Sequence, residues 1–107
     1  DVAALADRNP GYSITLGGRP FVADGTSSAT PVWAALLAII SANQGRRVGW
    51  VNEQLYAAAG TGFIDVLEGN NAVPGVTRSY DAGPGWDACT GWGAPNGRAI
   101  EALLGNR

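Results

Sequence analysis

The sequence predicts an α/β fold, with this 107-residue chain as one part of a larger domain. Three observations lead there. Every residue from Val32 to Ile40 is apolar, so that stretch reads as a helix with no polar face, buried on all sides. Strand-like and helix-like stretches succeed one another along the chain. The strands are too few to supply the layers that such a helix needs on both its sides.

Each element has a local reason. "GYSITLGGRPFVAD" reads as two short strands around Gly17-Gly18, which can take the positive φ angles of a tight hairpin turn. Pro20 suits an edge position or a strand start, where a missing N–H costs no ladder bond. The helix "PVWAALLAIISANQG" opens with Pro31 in its first turn and closes at Gly45. It is too short for a bilayer, which needs about 20 apolar residues. "VNEQLYAAAG" predicts a second helix with Asn52 as N-cap and Gly60 as stop. "GFIDVLEGNN" reads as a short strand entering a loop, and "NGRAIEALLG" as a third helix. Between them, Asn70 to Gly97 is glycine-rich and irregular; loops of such length are functional or are ordered by something else, such as an ion.

Composition narrows the function. Hydrophobic residues make up 46% and charged residues 15%, which excludes a disordered tail. The seven basic residues are scattered arginines and the net charge is −2, so the basic stripe of a nucleic-acid binder is missing. Cys89 is the single cysteine: it is a buried thiol or pairs with another chain, and alone it builds no metal-thiolate site. The chain has no methionine and opens on "DVAALADRNPGYS" without a charged leader, and is expected to be a processed product or an excised piece.

Two stretches carry chemistry. In "DGTSSATP", Gly25 permits a backbone turn, Ser27 follows at a helix start, and Pro31 locks the helix. The unpaired N–H groups and positive dipole end at such a start favour a developing oxyanion, which gives Gly25 and Thr26 a supporting role. The competing reading makes Thr26, Ser27 and Ser28 simple N-caps. In "FIDVLEGNN" and "YDAGPGWDACTGWGAPNG", Asp65 and Asp87 are carboxylates, and Gly83 and Gly85 precede the second. Carboxylates with main-chain carbonyls make the oxygen cage that a hard cation such as Ca²⁺ prefers. An ordinary glycine loop is the alternative.

The spacing Gly25-Thr26-Ser27-x-x-x-Pro31 resembles the nucleophile motif shared by subtilisins and sedolisins, the serine-carboxyl peptidases. "GPGWDxCTGWG", with Asp65 before it, is similar to the C-terminal calcium site of sedolisins, and "DVAALADRNPGY" and "GAPNGRAIEALL" also look like sedolisin sequence. The resemblance covers essentially all 107 residues. It implies the C-terminal portion of a subtilisin-like three-layer α/β fold with a mainly parallel sheet, residues 1–107 being part of a peptidase catalytic domain. It also implies a secreted, acid-active endopeptidase with Ser27 as nucleophile. One structural Ca²⁺ would take side-chain oxygens of Asp65 and Asp87 and backbone carbonyls of Val66, Gly83 and Gly85.

In that family a glutamate, oriented by an aspartate, takes the serine proton, and a second aspartate stabilises the oxyanion. Such a dyad needs Glu-x-x-x-Asp on one helix face; here Glu53 is followed four residues on by Ala57, and Glu68 by Ala72. The chain alone is therefore expected to be inactive, with an upstream segment of the same precursor as its non-covalent partner and a peptide or protein as substrate. Neither nucleic acid nor membrane is expected as a partner. A subtilisin-type fragment and a non-enzymatic calcium-binding or scaffold domain are the other readings. Asp24 is given no catalytic role, Asp1 and Asp7 are structural, and Trp33, Trp50, Trp86 and Trp92 are expected to pack.

Overall fold

A computed structural model describes residues 1–105. The chain runs β1 (Tyr12–Leu16), β2 (Arg19–Ala23), α1 (Thr26–Asn43), α2 (Asn52–Ala57), β3 (Phe63–Ile64), β4 (Ala94–Pro95) and α3 (Gly97–Gly105). β1 and β2 form the hairpin expected from sequence, with Leu16 opposite Arg19. Gly17 and Gly18 both have positive φ, 57° and 75°, the geometry of a two-residue hairpin turn. β3 pairs antiparallel with β4 through Phe63–Pro95 and Ile64–Ala94. Both described sheets are two-stranded and antiparallel, so the mainly parallel sheet is not among the described residues.

α1 begins at Thr26, in line with Ser27 at a helix start, and this places Pro31 inside the helix and not in its first turn. Pro31 has no N–H to give the carbonyl of Ser27, so the helix loses one ladder bond there. The C-terminal end closes as expected. Gly45 (φ 63°) donates its N–H to the carbonyl of Ala42 and Arg46 donates to Ser41, the paired bonds of a Schellman cap. α2 differs by one position: its N-cap is Val51, and Asn52 is already helical and makes no capping bond. α3 is capped by Asn96, whose Oδ1 accepts the N–H of Ala99 at 3.3 Å.

The core is small and lies at one end. Ile40 of α1, Val48 and Val51 of the following loop, Leu55 of α2 and Ile100 and Leu104 of α3 are buried, with Trp33, Leu36, Leu37 and Phe63 packed against them. Ile100 and Leu104 stand four apart and share one helix face. Side-chain bonds tie α3 to the end of α1: Asn43 Nδ2 to Glu101 Oε1 (2.8 Å), Gln44 Nε2 to the Glu101 carbonyl (3.1 Å) and an Arg46 guanidinium N–H to the Leu104 carbonyl (2.7 Å).

The expectation that α1 is buried on all sides is not met within these residues. Ile40 is its only buried residue, while Val32 and Ile39 are 38% and 59% exposed. The hairpin also leaves Leu16, Phe21 and Val22 exposed. The radius of gyration is 15.5 Å, against about 13 Å for a compact chain of this length. The physical reason is the one the paucity of strands raises: among the described residues no second layer covers that side of the helix.

Candidate active site

Ser27 is the second residue of α1, directly after a turn that only a flexible residue makes easily. Gly25 is the N-cap with φ 92° and ψ 166°, a conformation that strains any residue with a Cβ. The carbonyl of Gly25 accepts the N–H groups of Ser28 (2.9 Å) and Ala29 (3.3 Å). The N–H groups of Thr26 and Ser27 find no acceptor among the described residues. Helix starts leave such donors for a ligand or a developing anion.

The simple N-cap reading does not describe these hydroxyls. No side chain caps α1. Ser28 Oγ donates back to the Asp24 carbonyl and Thr30 Oγ1 to the Thr26 carbonyl, both at 2.9 Å. Ser27 is exposed, and its Oγ bonds to no described residue, carboxylates included. Asp7 and Asp1 take structural bonds: Asp7 Oδ1 accepts the Asn9 N–H, and Asp1 Oδ1 accepts the Tyr56 hydroxyl.

Asp65 and Asp87 approach one loop from its two ends. Asp65 Oδ2 accepts the Gly85 N–H at 2.7 Å, and Asp87 Oδ2 accepts the Gly83 N–H at 3.1 Å. Asp87 also closes its own turn: Oδ1 accepts the N–H groups of Cys89 (2.8 Å) and Thr90 (2.6 Å), and Asp87 pairs with Gly91 in a bridge. The Thr90 N–H chiefly, with the N–H groups of Gly83 and Cys89 and the Thr90 hydroxyl, holds the Asp87 carboxyl below the ordinary carboxylate range, against partial burial that pushes it up. Thr90 and Cys89 are absent from the sequence-based set; the Asp-x-x-Thr spacing is the signal that points to them.

Among the described residues no three His, Cys, Asp or Glu side chains gather around a common point. A cation here would rest on two carboxylates plus carbonyls. Of the roughly four acceptor positions on each carboxylate, Asp65 has one engaged by the Gly85 N–H, whereas Asp87 already accepts three N–H groups and the Thr90 hydroxyl, some of which a cation would have to replace. The glycines thus meet the carboxylates through their N–H groups.

The tryptophans divide. Trp33 packs on Phe63 (ring centroids 6.2 Å apart) and Trp92 meets Tyr56 edge-on (6.3 Å). Trp50 and Trp86, expected to pack, are 70% and 48% exposed because no described layer lies over them. Cys89 is a free, half-buried thiol. It lines a groove of about 470 Å³ with Thr90, Ala3, Thr26, Thr30 and Trp33. The groove's walls are the Asp87 turn, the first turns of α1 and the N-terminal segment, so the two motifs flank one depression.

No protein-family model matches the chain. Individual relatives do. The chain is 46% identical over 105 residues to kumamolisin of Bacillus sp. (strain MN-32), covering 97% of this chain and 19% of that protein. It is 39% identical over 117 residues to mouse (Mus musculus) tripeptidyl-peptidase 1, covering 99% of this chain and 20% of that protein. Among solved structures, Pseudomonas sedolisin, a serine-carboxyl proteinase complexed with two molecules of pseudo-iodotyrostatin, superposes with a TM-score of 0.82 at 30% identity. That match covers 92% of this chain and 27% of the sedolisin chain. The chain thus spans about one fifth of the length of the curated relatives it matches. Along nearly all of its own length, in sequence and in backbone, it belongs to the sedolisin family.

Proposed function

We propose that the polypeptide carrying this chain is a serine-carboxyl endopeptidase that cleaves peptide bonds at acid pH, with Ser27 as its nucleophile. Residues 1–107 would be the C-terminal part of its catalytic domain, within a three-layer fold whose parallel sheet lies in the remaining chain. One observation carries this reading: Ser27 Oγ is exposed and unbonded beside two unpaired N–H groups, while the neighbouring Ser28 and Thr30 hydroxyls are tied to carbonyls. The family match supplies the reaction class.

In the proposed reaction, Ser27 Oγ attacks the scissile carbonyl and its proton passes to a glutamate outside this chain. A carboxylate suits that task in acid, where a histidine would already be charged. The N–H groups of Thr26 and Ser27 face the oxyanion, with an aspartate from the remaining chain completing its stabilisation. The chain alone would be inactive, since removing the base removes most of the rate acceleration. It would act with the upstream segment, in the secreted setting the family suggests; none of its described helices is long and apolar enough to cross a membrane.

Asp65, Asp87 and the carbonyls of Val66, Gly83 and Gly85 would hold one Ca²⁺, which supplies structural order to the loop and takes no part in the chemistry. Trapping an acyl group on the full-length protein and locating it by mass spectrometry tests the nucleophile; modification anywhere but Ser27 overturns it. Calorimetric Ca²⁺ titration of the same protein tests the loop. Binding that survives Asp87→Ala unchanged would remove Asp87 from the site.

A further inference from the structure

The segment Asp1–Ala6 belongs to no helix or strand, yet its carbonyls are pinned at four places along its length. Trp92 donates its N–H to the Asp1 carbonyl (3.1 Å), and Ala3 donates its own to the Gly93 carbonyl (2.9 Å). The Trp33 indole N–H reaches the Ala3 carbonyl at 2.9 Å. The Tyr12 hydroxyl donates to the Leu5 carbonyl at 2.6 Å. Last, the Ala6 carbonyl accepts the Gly25 N–H at 2.7 Å. The seat is close: a Cβ on Gly91 would lie 2.2 Å from the Asp1 carbonyl oxygen, so only glycine allows the strap to lie there.

The last anchor matters most. Gly25 is the N-cap of α1, in a left-handed conformation with no side-chain cap to hold it. Its N–H bond to Ala6 is the one bond among the described residues that ties this turn to the strap, beside the local bonds of the Gly25 and Asp24 carbonyls to the first residues of α1. Trp33 stands six residues beyond Ser27 on the same helix and clamps the middle of the strap, with its ring braced on Phe63. A helix and its entry turn are thus tied to one strap at two points.

We propose that Trp33 and Tyr12 are positioning residues for the reaction: by fixing the strap Asp1–Ala6 they hold the Gly25 turn, and through it the direction of Ser27 Oγ. This rests on the reading of Ser27 as nucleophile. Neither side chain touches the reacting atoms, and each acts through a carbonyl of the strap. Placement errors of about 1 Å can cost on the order of a hundredfold in rate, so a modest loosening of the turn has a measurable effect.

The test is made on the full-length polypeptide with an activated peptide ester, following the single-turnover rate at which the acyl group forms on Ser27. Trp33→Phe keeps an aromatic ring and deletes the indole N–H; it should lower the saturating single-turnover acylation rate roughly tenfold with the half-saturating ester concentration unchanged. Tyr12→Phe should slow acylation about threefold, since the bond it loses is one of several on the strap. That variant sits at a lightly packed hairpin and decides the matter alone if Trp33→Phe does not fold. Wild-type saturating acylation rates in the folded variants, or a change only in the half-saturating ester concentration of the single-turnover reaction, would overturn the proposal and leave Ser27 as nucleophile. A wild-type protein whose acyl group lies elsewhere would overturn both.

Discussion

The two ends of α1 are built on opposite terms. At its C-terminal end Ile40 is buried, a Schellman cap satisfies the last carbonyls, and three side-chain bonds tie it to α3. At its N-terminal end no side chain caps it, Pro31 removes a ladder bond, Val32 is exposed and two N–H groups are left over. A helix that is held firmly at one end can afford unsatisfied donors at the other. Those unspent donors stand beside the one hydroxyl proposed to react, as expected where a rigid scaffold presents a functional turn.

Four measurements sharpen or break that contrast. The largest effect is expected from Ser27→Ala in the full-length protein: peptide hydrolysis should fall by at least about a thousandfold with no shift in melting temperature. A coupled loss of stability would mean that this end of the helix is structural after all. Next, Ile40→Ala should cost about 2–5 kcal/mol in a denaturant titration, as large-to-small changes in cores do. Ile39→Ala, at an exposed position in the described residues, should approach that figure in the full-length protein if the remaining chain covers the helix. A cost within about 0.5 kcal/mol, the usual range at surfaces, would refute the covering layer.

Gly45→Ala follows, at about 1 kcal/mol, because the residue needs a positive φ although a Cβ would meet nothing. The same measurement at Gly25 would confound stability with the Ser27 turn, so Gly45 is the cleaner probe. The smallest effect concerns Asp87. Its carboxyl titrates below the ordinary range when folded, so its contribution to stability is fully present above the unfolded value and is lost as pH falls through the folded one. Denaturation midpoints compared across the acid range should therefore converge for wild type and Asp87→Asn at the lowest pH. A gap that persists there would show that the side chain acts without its charge.

Much of this was legible because it is local. Gly17-Gly18 announced a hairpin through the φ angles its turn demands, and Gly45 announced a helix end for the same reason. The start of α1 was legible only in part. "DGTSSATP" put Ser27 at a helix start while Pro31 also suits a first turn, and the two could not be reconciled locally; that Thr26 begins the helix is seen only with the Gly25 turn, whose N–H bonds to Ala6 nineteen residues away. The tryptophans show the same limit: Trp33 and Trp92 pack on neighbouring rings while Trp50 and Trp86 stay exposed among the described residues, since burial depends on which layers arrive over them.

The candidate site divides along the same line. Residue types and spacing marked Gly25, Thr26 and Ser27 as a turn into a helix start, and Asp65, Asp87, Gly83 and Gly85 as a loop with oxygen donors, because turn chemistry and oxygen donors are properties of the residues themselves; Val66 and the ligating carbonyls came only from the resemblance to sedolisins. Tertiary structure alone decided that Asp65 and Asp87 meet one loop, that the Asp87 turn and the start of α1 wall one groove, and that Asp1–Ala6 runs between them. Apart from the short Asp87–Gly83 bond, these contacts join residues 19 to 91 positions apart, whose pairing is set by how the layers stack, and no local propensity encodes it.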